Sequence, residues 1–166
     1  MEFRKAELSE LPEIFEMYRE GVRVMIESGI FQWDEVYPSE EVIRRDITDG
    51  EMYVTLAENR ITSAITLNER HDPEYADGAW QYAHLRHCVV HRLCVIPAAQ
   101  GKGVAKLTML YAEELLGREG YDAVWLDTFS ENPIALRLYK SIGYQKTGEV
   151  TFRKGLFYLF EKKLPQ

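Results

Sequence analysis

The chain has little from which to build a cross-linked, membrane-spanning or nucleic-acid-coating protein. Of its 166 residues only two are cysteine, Cys88 and Cys94, six positions apart. That is too few for a disulfide framework and fits a reducing compartment. No stretch approaches the roughly 20 consecutive apolar residues that span a bilayer. The N-terminal MEFRKAELSELPEIF carries acids where a signal peptide needs an apolar run. Positive charge is in deficit as well: 20 Lys and Arg against 27 Asp and Glu leave a net charge of −7. This balance argues against broad attachment to nucleic acid or an anionic membrane, and it is compatible with cationic substrates such as amines. Internal repeats, low-complexity tracts and Pro/Ser-rich linkers are missing too. The expectation is one cytoplasmic domain over residues 1–166.

What is there reads as strands and helices in alternation. EFRKAEL predicts a first strand, and Ser9 is placed to cap a helix whose Leu11, Ile14, Phe15, Tyr18, Val22 and Met25 recur at helical spacing until Gly29. IFQWDEVYP reads as an aromatic-rich loop, with Ser39 opening a shorter helix to about Asp49. MYVTLAE and ITSAITLN predict strands joined by a turn near Asn59–Arg60, and ERHDPEYADGAWQYAH predicts an exposed loop. A strand through Ile96, a helix from the GKGVAK segment, the strand YDAVWLDTF and a helix capped by Asn132 with Pro133 at its first position follow. YQKTGEVTF and LFYLFEKKL predict a closing strand pair. The order implies a mixed sheet with helices on its faces.

The segment HLRHCVVHRLCV crowds His84, His87, Cys88, His91 and Cys94 together. As a strand, which its β-branched residues and the following Pro97 favour, it places His84 and His91 roughly 23 Å apart at about 3.3 Å per residue. Zinc holds nitrogen ligands at about 2.0–2.1 Å, so no single ion gathers this set and no metal is expected. Neither cysteine has a neighbouring cationic setting or helix N-terminus that marks a reactive thiol; both read as small buried hydrophobes.

After this strand comes PAAQGKGVAK. Small residues between a strand and a helix let backbone N–H groups approach an anion. Neither GxxxxGK[ST] nor GxGxxG is present, which removes support for nucleotide hydrolysis and hydride transfer. Here the sequence resembles the GCN5-related N-acetyltransferase (GNAT) superfamily. Gln100, Gly103 and Ala105 match its [Q/R]-x-x-G-x-[G/A] loop, and Leu93, Val95 and Pro97 match its L-x-V-x-P strand ending. A second block matches N-x-x-A-x-x-x-Y-x-x-x-G-[F/Y] through Asn132, Ala135, Tyr139, Gly143 and Tyr144, about thirty residues on.

The resemblance implies an α/β (α+β) GNAT fold: a mixed central sheet of about six to seven strands, splayed in the middle, flanked by about four helices. It implies acetyl-CoA as co-substrate, with acetyl passing to a primary amine of a small molecule by direct attack. A catalytically silent acyl-CoA-binding sensor or partner module is the alternative. The backbone of Leu93, Cys94 and Val95 is expected to pair with the pantetheine arm. Gln100, Gly101, Lys102, Gly103, Val104 and Ala105 are expected to donate to the pyrophosphate, with Lys106, Asn132 and Ala135 alongside. Tyr139 is the expected general acid, and the Val95 N–H the oxyanion donor. His91 is the candidate base, since an ordinary imidazole, with its value near 6.5, suits proton acceptance at neutral pH; Asp127 and Glu131 are the alternatives. Phe31, Trp33 and Tyr37 are candidates to wall an acceptor pocket, with Asp34 or Glu35 drawing a cation and Asp127 alongside. A homodimer is a family-level expectation.

Overall fold

The computed structural model describes Met1–Gln166. Seven strands, β1 (Glu2–Lys5), β2 (Met52–Ala57), β3 (Arg60–Asn68), β4 (His87–Val95), β5 (Ala123–Phe129), β6 (Gln145–Phe152) and β7 (Gly155–Lys163), form one mixed sheet in the order β1-β2-β3-β4-β5-β7-β6. Four helices accompany it: α1 (Leu11–Glu27), α2 (Glu40–Thr48), α3 (Val104–Arg118) and α4 (Pro133–Ser141). None is long and apolar enough to cross a membrane. The strand and helix numbers agree with the expectation. Contacts group the chain into two compact units, Met1–Leu67 with His91–Met109 and Asn68–Val90 with Leu110–Gln166.

In the first unit, β1, β2 and β3 pair antiparallel. The hairpin between β2 and β3 turns on Glu58 and Asn59, both at positive φ, one residue earlier than the sequence suggests. Leu11, Ile14, Met17 and Tyr18 of α1 fall at three- and four-residue spacing and are buried with Ile43 and Ile47 of α2 against Met52, Val54, Ile61 and Ala64. The expected Ser9 cap is not formed. Ser9 lies inside a 3-10 turn, Leu8–Glu10, and the Glu10 carboxylate instead accepts from the Glu7 N–H at 2.8 Å and from the Arg4 guanidinium at 2.7 Å. Helix α1 ends as expected at Gly29, whose φ of 76° is the left-handed backbone glycine takes without a Cβ penalty. Ser39 caps α2, accepting from the Val42 N–H. A buried hydroxyl chain links the sheet to α3: Thr55 bonds Thr62 and Ser63, and Ser63 bonds Thr108 at 2.7 Å.

In the second unit, β4 pairs with β5 in parallel from His87↔Ala123 to Val89↔Trp125, while β5 pairs antiparallel with β7 along its whole length. β4 begins at His87, so His84 precedes it and is exposed. Asn132 caps α4 through its Oδ1, which accepts from the Ala135 N–H at 3.1 Å, with Pro133 following.

The segment 69–86, expected as an exposed loop, is only partly that. Pro73–Asp77 forms a 3-10 turn and Tyr75 is 1% exposed. Its ring and that of Trp80 join a stack in which Trp80 and His87 lie against Trp125, at 3.9 and 3.6 Å between ring centroids. Aromatic area inside a Pro- and Asp-rich stretch is what pins it down, since such rings bury far more surface than the polar residues around them.

Candidate active site

The predicted residues divide between the two units. His91, Leu93, Cys94, Val95, Gln100–Lys106, Phe31, Trp33 and Tyr37 fall in the first; Asp127, Asn132, Ala135 and Tyr139 fall in the second.

In the first unit the chain leaves β4 at Val95, makes a 3-10 turn over Pro97–Ala99 and enters α3 at Val104. Gly101 and Gly103 have φ of 74° and 79°. A Cβ built on either meets nothing within 4 Å. The protein's own packing therefore does not demand glycine; the left-handed backbone does, and the space beside it is open to a ligand. The first N–H groups of α3, on Val104, Ala105 and Lys106, have no partner within the helix and sit at its positive dipole end. Lys102 and Lys106 are exposed beside them. The Gln100 amide turns back and donates to the Val95 carbonyl at 3.1 Å, fixing the strand end to the loop. This donor set suits a diphosphate, whose oxygens accept from backbone N–H and ammonium groups alike.

Within β4, period-two alternation breaks at Arg92, whose φ is 53°. Regular alternation would put His91, Leu93 and Val95 on one face of the strand, and the turn at Arg92 interrupts that face between His91 and Leu93. A left-handed non-glycine residue costs about 1–2 kcal/mol. Several bonds hold Arg92 in this conformation. Its Nε and Nη2 donate to Asp46 Oδ2 at 2.7 and 2.6 Å, and Nη1 donates to the Tyr37 hydroxyl at 2.8 Å. The Tyr18 hydroxyl donates to its carbonyl. Thr66 also donates to Asp46 Oδ2, and Asp46 is fully buried. Burial works against the Arg92 charge, yet Tyr37 and Asp46 outweigh it and its pKa is raised.

The loop residues are sorted by their contacts. Trp33 packs against the first unit's core, its ring 5.7 Å from Tyr18. Tyr37 accepts from Arg92, and Asp34 Oδ1 accepts from the N–H groups of Val36 and Tyr37 at 2.9 Å each, shaping the loop. Phe31 is 52% and Val36 74% exposed. Cys94 and Cys88 are buried, and burial pushes both thiols up to about 12, which leaves no thiolate for nucleophilic attack at neutral pH.

In the second unit Tyr139 is 7% exposed, its ring edge-on to Tyr144 at 5.8 Å and 6.2 Å from Phe160. Burial first, and the Asp127 charge second, raise its pKa, so the phenol keeps its proton at neutral pH. Asp127 Oδ2 accepts from the Tyr75 hydroxyl at 2.6 Å. His87 stacks on Trp125 with Nδ1 3.0 Å from the Leu85 carbonyl. Arg92 bonds the predicted Tyr37 and, with it, Asp46 in the first unit, and Tyr75 bonds the predicted Asp127 in the second; the sequence disclosed none of the three. Their partners lie 46 and 52 positions away, where no local pattern reaches.

Comparison with known proteins decides the family. The profile of the acetyltransferase (GNAT) family matches residues 11–144, most of the chain. The chain belongs to the GNAT family. Other proteins resemble it in part or throughout. The N-alpha-acetyltransferase RimI of Mycobacterium tuberculosis is 37% identical over 59 residues, 36% of this chain and 35% of that protein. The match thus spans about a third of that relative's length. A GNAT acetyltransferase of Streptococcus agalactiae superposes with a TM-score of 0.87 at 20% identity, covering 99% of this chain and 96% of its own. The yncA protein of Salmonella typhimurium, solved with its cofactor acetyl-CoA, gives a TM-score of 0.72 at 17% identity, covering 100% of this chain and 95% of its own. At these identities the two structures establish the GNAT fold.

Proposed function

We propose that the protein is an acyl-CoA-dependent N-acyltransferase that passes acetyl from acetyl-CoA to a primary amine by direct attack. The observation that carries this reading is the pair of left-handed glycines at the mouth of α3, open where a Cβ would stand, in a GNAT chain. Acetyl-CoA supplies an acyl group activated as a thioester. The backbone of Gln100–Ala105 and the Lys102 and Lys106 ammonium groups hold its diphosphate. The peptide groups of Leu93–Val95 take the pantetheine arm as an added strand, with Asn132 and Ala135 contributing from α4. The Val95 N–H donates to the carbonyl oxygen as negative charge develops there. Tyr139, neutral at working pH, gives its proton to the departing sulfur.

The acceptor arrives as an ammonium, of pKa roughly 10 when lysine-like, and must lose a proton. His91 is the base in this reading, with Asp127 and Glu131 as the carboxylate alternatives. Phe31, Trp33 and Tyr37 border the acceptor, which is a small-molecule amine. A peptide α-amine is the second reading, favoured by the likeness to RimI. The protein works in the cytoplasm.

Thermal stability tests the cofactor half of the reading. Ligand at 100 times its Kd stabilises the folded state by about 2.7 kcal/mol. For a chain of this size that raises Tm by roughly 5–10 °C. An unchanged Tm at millimolar acetyl-CoA overturns it.

A further inference from the structure

Three non-glycine residues take positive φ. Glu58 and Asn59 do so in a two-residue hairpin turn, where that backbone is ordinary. Arg92 does so inside a strand, directly before the Leu93–Val95 peptide groups. Around it converge Tyr18 from α1, Asp46 from α2, Thr66 from β3 with a bond to Asp46, and Tyr37 from the 31–37 loop. The Arg92 side chain is 9% exposed and that of Asp46 0%.

We propose that Arg92 is a positioning residue, clamped between Asp46 and Tyr37 so that the β4 peptide groups and the 31–37 loop are held in one fixed relation. The proposal rests on the acyl-transfer reading for what that relation serves. A buried ion pair is a poor way to gain stability, because desolvation offsets most of the attraction and apolar side chains of similar volume do as well. What the pair does provide is direction. The guanidinium is a rigid planar fork: two of its nitrogens meet Asp46 while the third reaches Tyr37, a geometry an ammonium does not reproduce. The Tyr37 end is itself fixed, since Asp34 accepts from the Tyr37 N–H. The turn at Arg92 thereby sets the aim of the Val95 N–H, and the same side chain ties that aim to the loop that exposes Phe31 and Val36. Acceptor loop and cofactor strand are one mechanical piece.

The test uses Tyr37→Phe, which keeps the ring and deletes only the acceptor for Nη1, and Arg92→Lys, which keeps the charge and loses the fork. Amide hydrogen exchange of the 91–96 segment is read with Tm, acetyl-CoA affinity and steady-state constants. Tyr37→Phe is expected to speed exchange in that segment several-fold. It should also raise the acceptor KM several-fold, with a smaller loss of acetyl-CoA affinity. Arg92→Lys is expected to lower kcat at least tenfold. Exchange at 91–96 in Tyr37→Phe equal to that of the unaltered protein overturns the proposal, as does a lower Tm with no change in exchange, KM or kcat. If the unaltered protein transfers no acyl group, the acyl-transfer reading fails by itself, and the exchange measurement still decides whether loop and strand are coupled.

Discussion

Replacing Gly103 by alanine separates what the protein needs from what its ligand needs. At a φ of 79° an L-residue pays the left-handed penalty, about 1–2 kcal/mol. No steric cost adds to it, because the new methyl meets nothing within 4 Å. For a chain of this length each kcal/mol lowers Tm by about 2–4 °C, so the ligand-free protein should lose roughly 2–8 °C. The methyl stands in the space assigned to the diphosphate, and the N–H groups beside it lose their close approach. Acetyl-CoA affinity should therefore fall at least about tenfold, or about 1.4 kcal/mol beyond any effect on folding. Calorimetric titration and thermal melts on the same preparation measure both. A variant that melts lower yet binds acetyl-CoA as tightly as before would refute the assignment of this loop as the anion cradle.

Three further outcomes follow from the same geometry. Tyr139→Phe should reduce kcat by about 10²-fold or more, the usual range for a lost acid, with acetyl-CoA affinity within twofold; equal loss of both would mark Tyr139 as packing alone. Asp46→Ala strands the Arg92 charge in the interior and should cost about 3–5 kcal/mol in denaturant unfolding; a loss under about 1 kcal/mol would contradict the buried pair. Native Cys88 and Cys94 should resist alkylation at pH 8 and react on unfolding, since burial holds both near 12. Raised thiol pKa values add stability that is fully present below the unfolded value of about 8.5 and is lost as pH climbs towards 12, so melts should weaken across that alkaline window.

The parts legible in the sequence were those governed by neighbours in the chain. Asn132 and Pro133 announce α4 because a cap and a first-turn proline act within three residues. Leu11, Ile14 and Tyr18 announce α1 because one face of a helix repeats at that spacing. The QGKG stretch announces a bare backbone before a helix because only glycine takes its left-handed φ without penalty. Arg92 was hidden for the opposite reason: strand alternation predicts where side chains point only while φ stays extended, and its turn is fixed by Asp46 and Tyr37 far away in sequence. Tyr75 and Trp80 were hidden by the Pro, Asp and Gly around them, which signal turns without revealing that the rings are buried. At the first helix Ser9 was the better residue type for a cap, but Arg4 had already committed Glu10 to the turn.

The most direct test of the account is amine-dependent release of CoA thiol. Purified protein is given acetyl-CoA with a panel of small primary amines and short peptides, and free thiol is followed alongside the acetylated product. At least one primary amine should give thiol and N-acetyl product in equal amounts, and Tyr139→Phe should suppress both. Tight acetyl-CoA binding with no thiol release above the amine-free rate across the panel would contradict it, leaving a protein that holds the thioester without transferring it.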